Sequence, residues 1–241
     1  MTVTEHEPVA QRLEEHRTEL TGYCYRMLGS AFEAEDAVQN TFIQAWRGYD
    51  RFEGRSSLRT WLYRIATNVC FDMLRGKERR FRPMDLGPAS SHMAALDPGR
   101  PEATWITPIP DGRVFAVDGD PAELAVARDS VRLAIITALQ HLPPRQRAVL
   151  ILREVLRWKA SEVAELLETT VASVNSALQR ARATLTAEGV ADSEVVAPLD
   201  PDQRDLLDRY VAAFEAYDID GLLQLIHKDA TQSMPPYELW L

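Results

Sequence analysis

RFEGRSSLRTWLYRIATNVCFDMLR, residues 51–75, decides the reading of this chain. From about Leu58 to Arg75 the apolar residues Leu58, Trp61, Leu62, Ile65, Val69 and Met73 recur at spacings of three and four, which predicts a helix with one buried stripe. Arg64, Asn68, Asp72 and Arg75 fall on the other side. Before the helix the period breaks, and Phe52, Glu53, Gly54, Arg55, Ser56 and Ser57 read as a loop. An aromatic ring, a glycine that allows close backbone approach, short hydroxyls and arginines together suit a nucleic-acid base held out of its stack. Residues 51–82 carry nine basic side chains against three acidic ones.

Outward from that stretch the pattern stays helical. Val9, Leu13, Leu20, Tyr23, Cys24, Met27 and Leu28 predict one long helix ended by Gly29. A second helix follows, with Ala34, Ala37, Val38, Thr41, Phe42, Ala45 and Trp46 on its buried stripe and Glu33, Glu35 and Asp36 in its first turn. Residues 83–121 hold seven of the fourteen prolines, are net acidic and lack a sustained period, so they read as a linker between two domains. Beyond it, Leu124, Val131, Ile135, Leu139 and Leu142 predict a helix stopped by Pro143 and Pro144, and Val149, Leu152, Val155 and Leu156 predict the next. Two more, Ser161 to Leu167 and Thr170 to Ala187, form a helix-turn-helix pattern, with Ser161 and Thr169 or Thr170 as N-caps. The last of these buries Val171, Val174, Leu178, Ala181 and Leu185. It turns Asn175, Ser176, Gln179, Arg180 and Ala183 outward, where amide and guanidinium groups read base edges in a major groove. Arg157, Lys159, Ser161, Thr170, Ser173 and Arg182 are placed for the phosphate backbone.

The net charge of −9 argues against nucleic acid only as a sum, because 51–82 and 143–187 are both net basic while the remaining acid is concentrated elsewhere. The polar, acidic start and the lack of a long apolar run predict a cytoplasmic protein with no membrane partner. Two cysteines, Cys24 and Cys70, without a C-x-x-C or a Cys/His cluster, predict neither a disulfide scaffold nor a metal site, and no cofactor is expected. After Gly189 an acidic amphipathic helix carries Leu206, Leu207, Tyr210, Val211, Phe214 and Tyr217 on one side, and the chain runs out at MPPYELWL, as if cut inside a further domain. Catalysis is not expected: His227 and Asp229 lie two apart, and no sheet is present to form a pocket around them.

EAEDAVQNTFIQAW (33–46), residues 51–75, LPPRQRAVLILREVL (142–156) and SVNSALQRARATL (173–185) together resemble the bacterial sigma-70 family, and the short architecture resembles its extracytoplasmic-function (ECF) group. The tail from Arg204 is similar to the opening of a SnoaL-like α+β domain. The resemblance implies a mainly α fold: two small helical domains joined by a long linker, with an incomplete α+β segment behind them. It implies region 2 over 8–82, an acidic linker over 83–121 that threads the polymerase, region 4 over 122–187, and a truncated SnoaL-like segment over 198–241. Asp36, Gln39, Asn40 and Gln44 would meet a coiled coil of the largest subunit of core RNA polymerase, and region 4 would meet its flap. Phe52, Gly54, Arg55, Ser56, Ser57, Arg64, Asn68 and Arg75 would serve the minus-10 element, Phe52 and Asn68 flanking the flipped base. Lys159, Ser161, Thr170, Ser173, Asn175, Ser176, Gln179, Arg180 and Arg182 would serve the minus-35 element. In this family a basic residue is common where Asn175 stands, and a glycine is frequent where the turn has Glu168 and Thr169, so the promoter sequence stays open. So does the existence of an anti-sigma protein, whose place the fused C-terminal domain would take.

Overall fold

The computed structural model describes residues 3–54, 56–90, 98–115, 133–187, 201–226 and 230–240. They divide into two compact units, one built from residues 1–81 and 101–193 and the other from 82–100 and 194–241.

The first unit starts with α1 (Val3–Glu14) and α2 (Arg17–Leu28). The single helix expected over this stretch is broken at Glu15 and His16. The N–H of His16 bonds Leu13 at 3.0 Å, a tight i to i−3 closure, and His16 Nδ1 turns to Glu19 Oε1 at 2.6 Å. The apolar stripe survives the break because no apolar side chain stands between Leu13 and Leu20. Gly29 closes α2 at φ 72°, with its N–H on Tyr25 O at 2.8 Å, a left-handed cap that suits glycine. Ser30 then caps α3 (Ala31–Gly48) by accepting the Glu33 N–H, and Ser57 caps α4 (Leu58–Leu74) by accepting the Thr60 N–H at 3.1 Å. Leu20, Tyr23, Met27, Ala37, Val38, Leu62, Tyr63 and Ala66 are fully buried where these helices meet. Each large apolar side chain there contributes ~1.5–3 kcal/mol. The phenols in this core are satisfied: Tyr23 and Thr67 share a hydroxyl hydrogen bond at 2.8 Å, and Tyr63 packs edge-on against Tyr23.

After residue 132 come α5 (Leu133–Gln140), α6 (Pro144–Leu150), a π-helical turn (Ile151–Val155), α7 (Ala160–Leu166) and α8 (Val171–Ala187). Pro144 opens α6 because its missing N–H costs nothing in a first turn. One expected cap changes and one holds. Glu162 Oε2 accepts the Lys159 N–H at 2.6 Å, so α7 begins one residue before Ser161, whereas Thr170 does cap α8 by accepting the Ser173 N–H at 3.1 Å. Val171, expected in the buried stripe, is 43% exposed. Leu124 and Val131 lie outside the described residues.

The two helix sets, expected as domains joined by a linker, fall in one compact unit. Both helix sets share one hydrophobic core, and the second half of the Pro-rich segment, 101–115, belongs to it. Trp105, Ile106, Val114 and Phe115 are buried. Thr107 is fastened three ways: its N–H bonds Gly29 O at 3.1 Å, its Oγ1 accepts the Ala31 N–H at 2.9 Å, and its carbonyl accepts the Tyr25 hydroxyl at 2.9 Å. Arg80, buried, pairs with Glu33 at 2.7 Å and donates to Trp105 O at 2.8 Å. A Cβ on Gly22 would stand 3.0 Å from Val114 O, so this close approach needs glycine in the middle of α2. Proline content and missing period mark irregular backbone, which is a different property from lack of burial.

In the second unit α9 (Pro201–Glu215) and α10 (Ile219–Leu225) form a pair, with Asp218 capping α10 through the Gly221 N–H at 2.9 Å. Trp240 bridges Ser233 and its carbonyl accepts the Ser90 N–H at 2.7 Å, while its indole N–H reaches Gly87 O. Isolated bridges are the only β pairing among the described residues, so the α+β character expected of this tail is not seen there. His227 and Asp229 lie outside the described residues. Among those described, no helix is long and apolar enough to cross a membrane.

Candidate nucleic-acid interface

Two surfaces of the first unit carry the residues expected to meet DNA. At the first, a short 3-10 turn (Tyr49–Arg51) delivers Phe52, whose N–H bonds Tyr49 O at 2.9 Å. The Phe52 ring stacks on Trp61 of α4 at 4.8 Å, tilted by 28°, and Tyr49 meets the same indole edge-on at 6.5 Å. Arg51, Phe52, Glu53, Ser56, Trp61 and Arg64 line an open, mostly polar concavity. Gly54 holds φ 68° with open space where a Cβ would stand, so its left-handed backbone rather than crowding calls for glycine. Arg55 lies outside the described residues.

Not every expected residue converges here. Ser57 is committed to the cap of α4, and its hydroxyl also meets Thr60 Oγ1 at 2.9 Å. Asn68 is exposed on α4 but does not line the concavity. Arg75 is exposed and paired with Asp72 at 2.9 Å. Arg64 reaches the concavity, yet its Nη2 donates to Glu165 O at 3.3 Å and lies 3.8 Å from the Glu165 carboxylate. Trp61, assigned to the buried stripe by its spacing, is only partly buried and supplies the stacking wall behind Phe52. Its position in the first turn after the Ser57 cap, beside a loop aromatic, is the signal that would have found it.

The second surface is α8. Asn175, Ser176, Gln179, Arg180 and Ala183 are exposed, opposite buried Val174, Ala177, Leu178 and Ala181. The turn before it passes through Glu168 at φ 50°, and Thr169 N–H bonds Ala164 O at 2.9 Å, so a non-glycine residue takes the left-handed position. Lys159, Ser161, Thr170 and Ser173 are exposed along α7 and the start of α8. Arg182, expected at the phosphate backbone, is paired with Glu154 at 2.6 Å.

A third surface lies on α3, where Asp36, Gln39, Asn40 and Gln44 are exposed together with Phe32 and Ile43, opposite buried Ala34, Ala37, Val38, Thr41 and Ala45. Gln39 edges an apolar groove shared with α1 and lined by Leu13, Phe42, Ile43 and Trp46. Sequence spacing placed Trp46 in the buried stripe, but it is 39% exposed. Among the described residues no cluster of side chains is arranged to hold a metal ion.

Residues 13–80 match the family model for sigma-70 region 2, and residues 132–185 match that for sigma-70 region 4. The chain is 32% identical over 162 residues to the ECF RNA polymerase sigma factor SigW of Bacillus subtilis, covering 67% of this chain and 78% of that one. The chain belongs to the ECF sigma factor family. Its similarity to the ECF sigma factor SigG of Mycobacterium tuberculosis reaches 50% identity over 228 residues, 94% of this chain and 61% of that relative, so it spans about three fifths of SigG. The crystal structure of the M. tuberculosis ECF sigma factor SigJ, 26% identical, aligns over 92% of this chain and 65% of that one with a TM-score of 0.48. As an ECF sigma factor the chain has both family regions in order, with the aromatic concavity inside the first match and the exposed polar face of α8 inside the second.

Proposed function

We propose that this ECF sigma factor binds core RNA polymerase and directs it to promoters through a minus-10 and a minus-35 element. One observation carries the reading: region 2 and region 4 occur in order on one chain, and each supplies a polar surface of the chemistry its element demands. Region 2 is assigned to 8–82 and region 4 to 122–187, each enclosing its matched stretch, 13–80 and 132–185. In the first, Phe52 and Trp61 form a stacking wall for a base leaving the duplex, Ser56 and Arg64 supply edge and phosphate contacts, and Asn68 waits further along α4. In the second, Asn175, Gln179 and Arg180 read base edges while Lys159, Ser161, Thr170 and Ser173 follow the backbone. Asp36, Gln39, Asn40 and Gln44 on α3, with the neighbouring apolar groove, meet the coiled coil of the largest polymerase subunit, and region 4 meets the flap.

This role involves no catalysis by the chain itself. The tail, 198–241, is assigned as the start of a SnoaL-like regulatory domain, a reading supported by the apolar face of α9: Val211 and Phe214 are 44% and 64% exposed, an apolar helix face that a partner surface would cover. Reconstitution with core polymerase tests the whole reading. Run-off transcription and permanganate footprinting should show promoter-dependent initiation and strand opening with this chain and none without it. Failure to bind core polymerase would overturn the proposal.

A further inference from the structure

Residues 101–115 form a strap that grips the start of α3. The first N–H groups of a helix have no partner inside it. Ser30 accepts that of Glu33, while that of Ala31 is taken up from far along the chain, by Thr107 Oγ1 at 2.9 Å. Thr107 is itself fixed through its backbone, with its N–H on Gly29 O at 3.1 Å and its carbonyl accepting the Tyr25 hydroxyl at 2.9 Å. Two further contacts reach the same turn of α3. Buried Arg80 joins Glu33, at 2.7 Å, to the strap carbonyls of Trp105 at 2.8 Å and Glu102 at 3.2 Å, and Arg113 pairs with Glu35.

The chemistry of this grip is that of permanent structure. Trp105, Ile106, Val114 and Phe115 are buried, so peeling the strap away would return four large apolar side chains to water. Its near end is paired as a parallel bridge: the Phe81 N–H bonds Thr104 O at 2.8 Å, and Phe81 O accepts the Ile106 N–H at 3.0 Å. Only the Arg113–Glu35 pair is substantially exposed and therefore weak. From these observations we infer that residues 101–115 stay docked on region 2 while the protein works, and that Thr107 is a positioning residue for polymerase binding. It fixes the first turn of the helix whose exposed face carries Asp36, Gln39, Asn40 and Gln44. The positioning role rests on the assignment of that face to core polymerase; the docking does not.

The test uses the full chain. Thr107→Val keeps the branched shape and removes Oγ1, which should speed amide hydrogen exchange at Ala31 in the free protein. Core polymerase should then bind about three- to tenfold more weakly, the range expected for loss of one such hydrogen bond, with initiation at saturating sigma factor unchanged. Thr107→Ser retains the hydroxyl and should restore both the exchange rate and the affinity. Asn40→Arg probes the exposed face of α3 directly and should also weaken core binding. Exchange across 101–115, followed with and without core polymerase, should show equal protection. Loss of that protection on binding polymerase would overturn the docking. Wild-type affinity in Thr107→Val beside weakened binding in Asn40→Arg would overturn the positioning role and leave the face assignment standing. Unchanged affinity in both would remove the face assignment, and the positioning role with it.

Discussion

The region 2 and region 4 halves of the first unit line their shared core with different side chains. Region 2 buries three tyrosines, Tyr23, Tyr25 and Tyr63, each with a hydrogen-bond partner for its hydroxyl, whereas the region 4 core is aliphatic, built on Ile136, Leu139, Leu142, Val149, Leu152, Val163 and Leu178. Their outer faces differ in the same sense. On α4 the polar residues are largely spoken for: Ser57 caps, Arg59 and Arg64 are paired, and Arg75 holds Asp72. On α8 the centre of the face, Asn175, Ser176, Gln179 and Arg180, is exposed. A surface that acts on an already unstacked base tolerates residues committed elsewhere until opening begins, while one that reads a closed duplex has to present its donors from the start.

The strongest way to break the comparison is Arg147→Ala, because this one side chain ties the halves together. Its removal leaves the carbonyls of Met27, Gln140 and Leu142 to find other partners and opens a void in the shared core. Chemical denaturation should show a loss of about 3–5 kcal/mol, with both halves affected. A loss below about 1 kcal/mol would mean that the halves are stable independently.

Alkali should separate the halves instead. Burial pushes the Tyr25 hydroxyl up to about 12 and those of Tyr23 and Tyr63 further in the same direction. These folded-state values lie above the unfolded value near 10, so the stability they contribute is complete below pH 10. It is lost as the pH climbs from 10 through 12, because only the unfolded chain releases the protons. For Tyr25 a shift of that size amounts to ~2–3 kcal/mol once fully expressed. Phenolate absorbance and circular dichroism followed together should show these tyrosines ionising only as region 2 unfolds. Early ionisation with the fold intact would contradict their burial.

The functional contrast comes next in size. Arg180→Ala should weaken minus-35 binding by ~1–3 kcal/mol while leaving strand opening at a preformed complex unchanged. Phe52→Ala and Asn68→Ala should reduce permanganate reactivity at the minus-10 element more than they reduce closed-complex formation. Equal effects on both steps would remove the distinction between the two surfaces.

Most of the helices, and the exposed polar face of α8, were legible in the sequence because amphipathic spacing and cap residues are local signals. Ala34, Ala37, Val38, Leu62, Ala66, Val174 and Ala181 all face inward as their period requires. What spacing could not convey was long-range pairing. Nothing local in Arg64 or Glu165 tells that they meet across a hundred residues, or that Thr107 would bind the junction of α2 and α3. Trp61 shows the same limit on a smaller scale: its spacing placed it in the buried stripe, but the rings of Phe52 and Tyr49, which stand before the helix, also pack on it and it stays partly exposed.

The smallest test compares the two caps. Ser57 and Thr170 each accept an N–H in the first turn of the helix they cap, α4 and α8, at 3.1 Å in both cases, so alanine at either position should cost about 1 kcal/mol of stability. Their consequences should nevertheless diverge. Ser57 also meets Thr60 Oγ1 and directly follows Ser56, which lines the Phe52–Trp61 concavity, so Ser57→Ala should loosen the end of the loop that presents Phe52 as well as the helix behind it. Thr170 bonds only the turn it caps, and α8 remains anchored by buried Val174, Ala177 and Leu178. Matched thermal melts should therefore give similar losses for the two variants, with promoter opening slowed only by Ser57→Ala. Glycine at the same positions is the sharper control, since it restores a few tenths short of the full cap without the hydroxyl. If Ser57→Gly recovers stability but not opening, the hydroxyl acts on the loop. If it recovers both, Ser57 is a cap and nothing more.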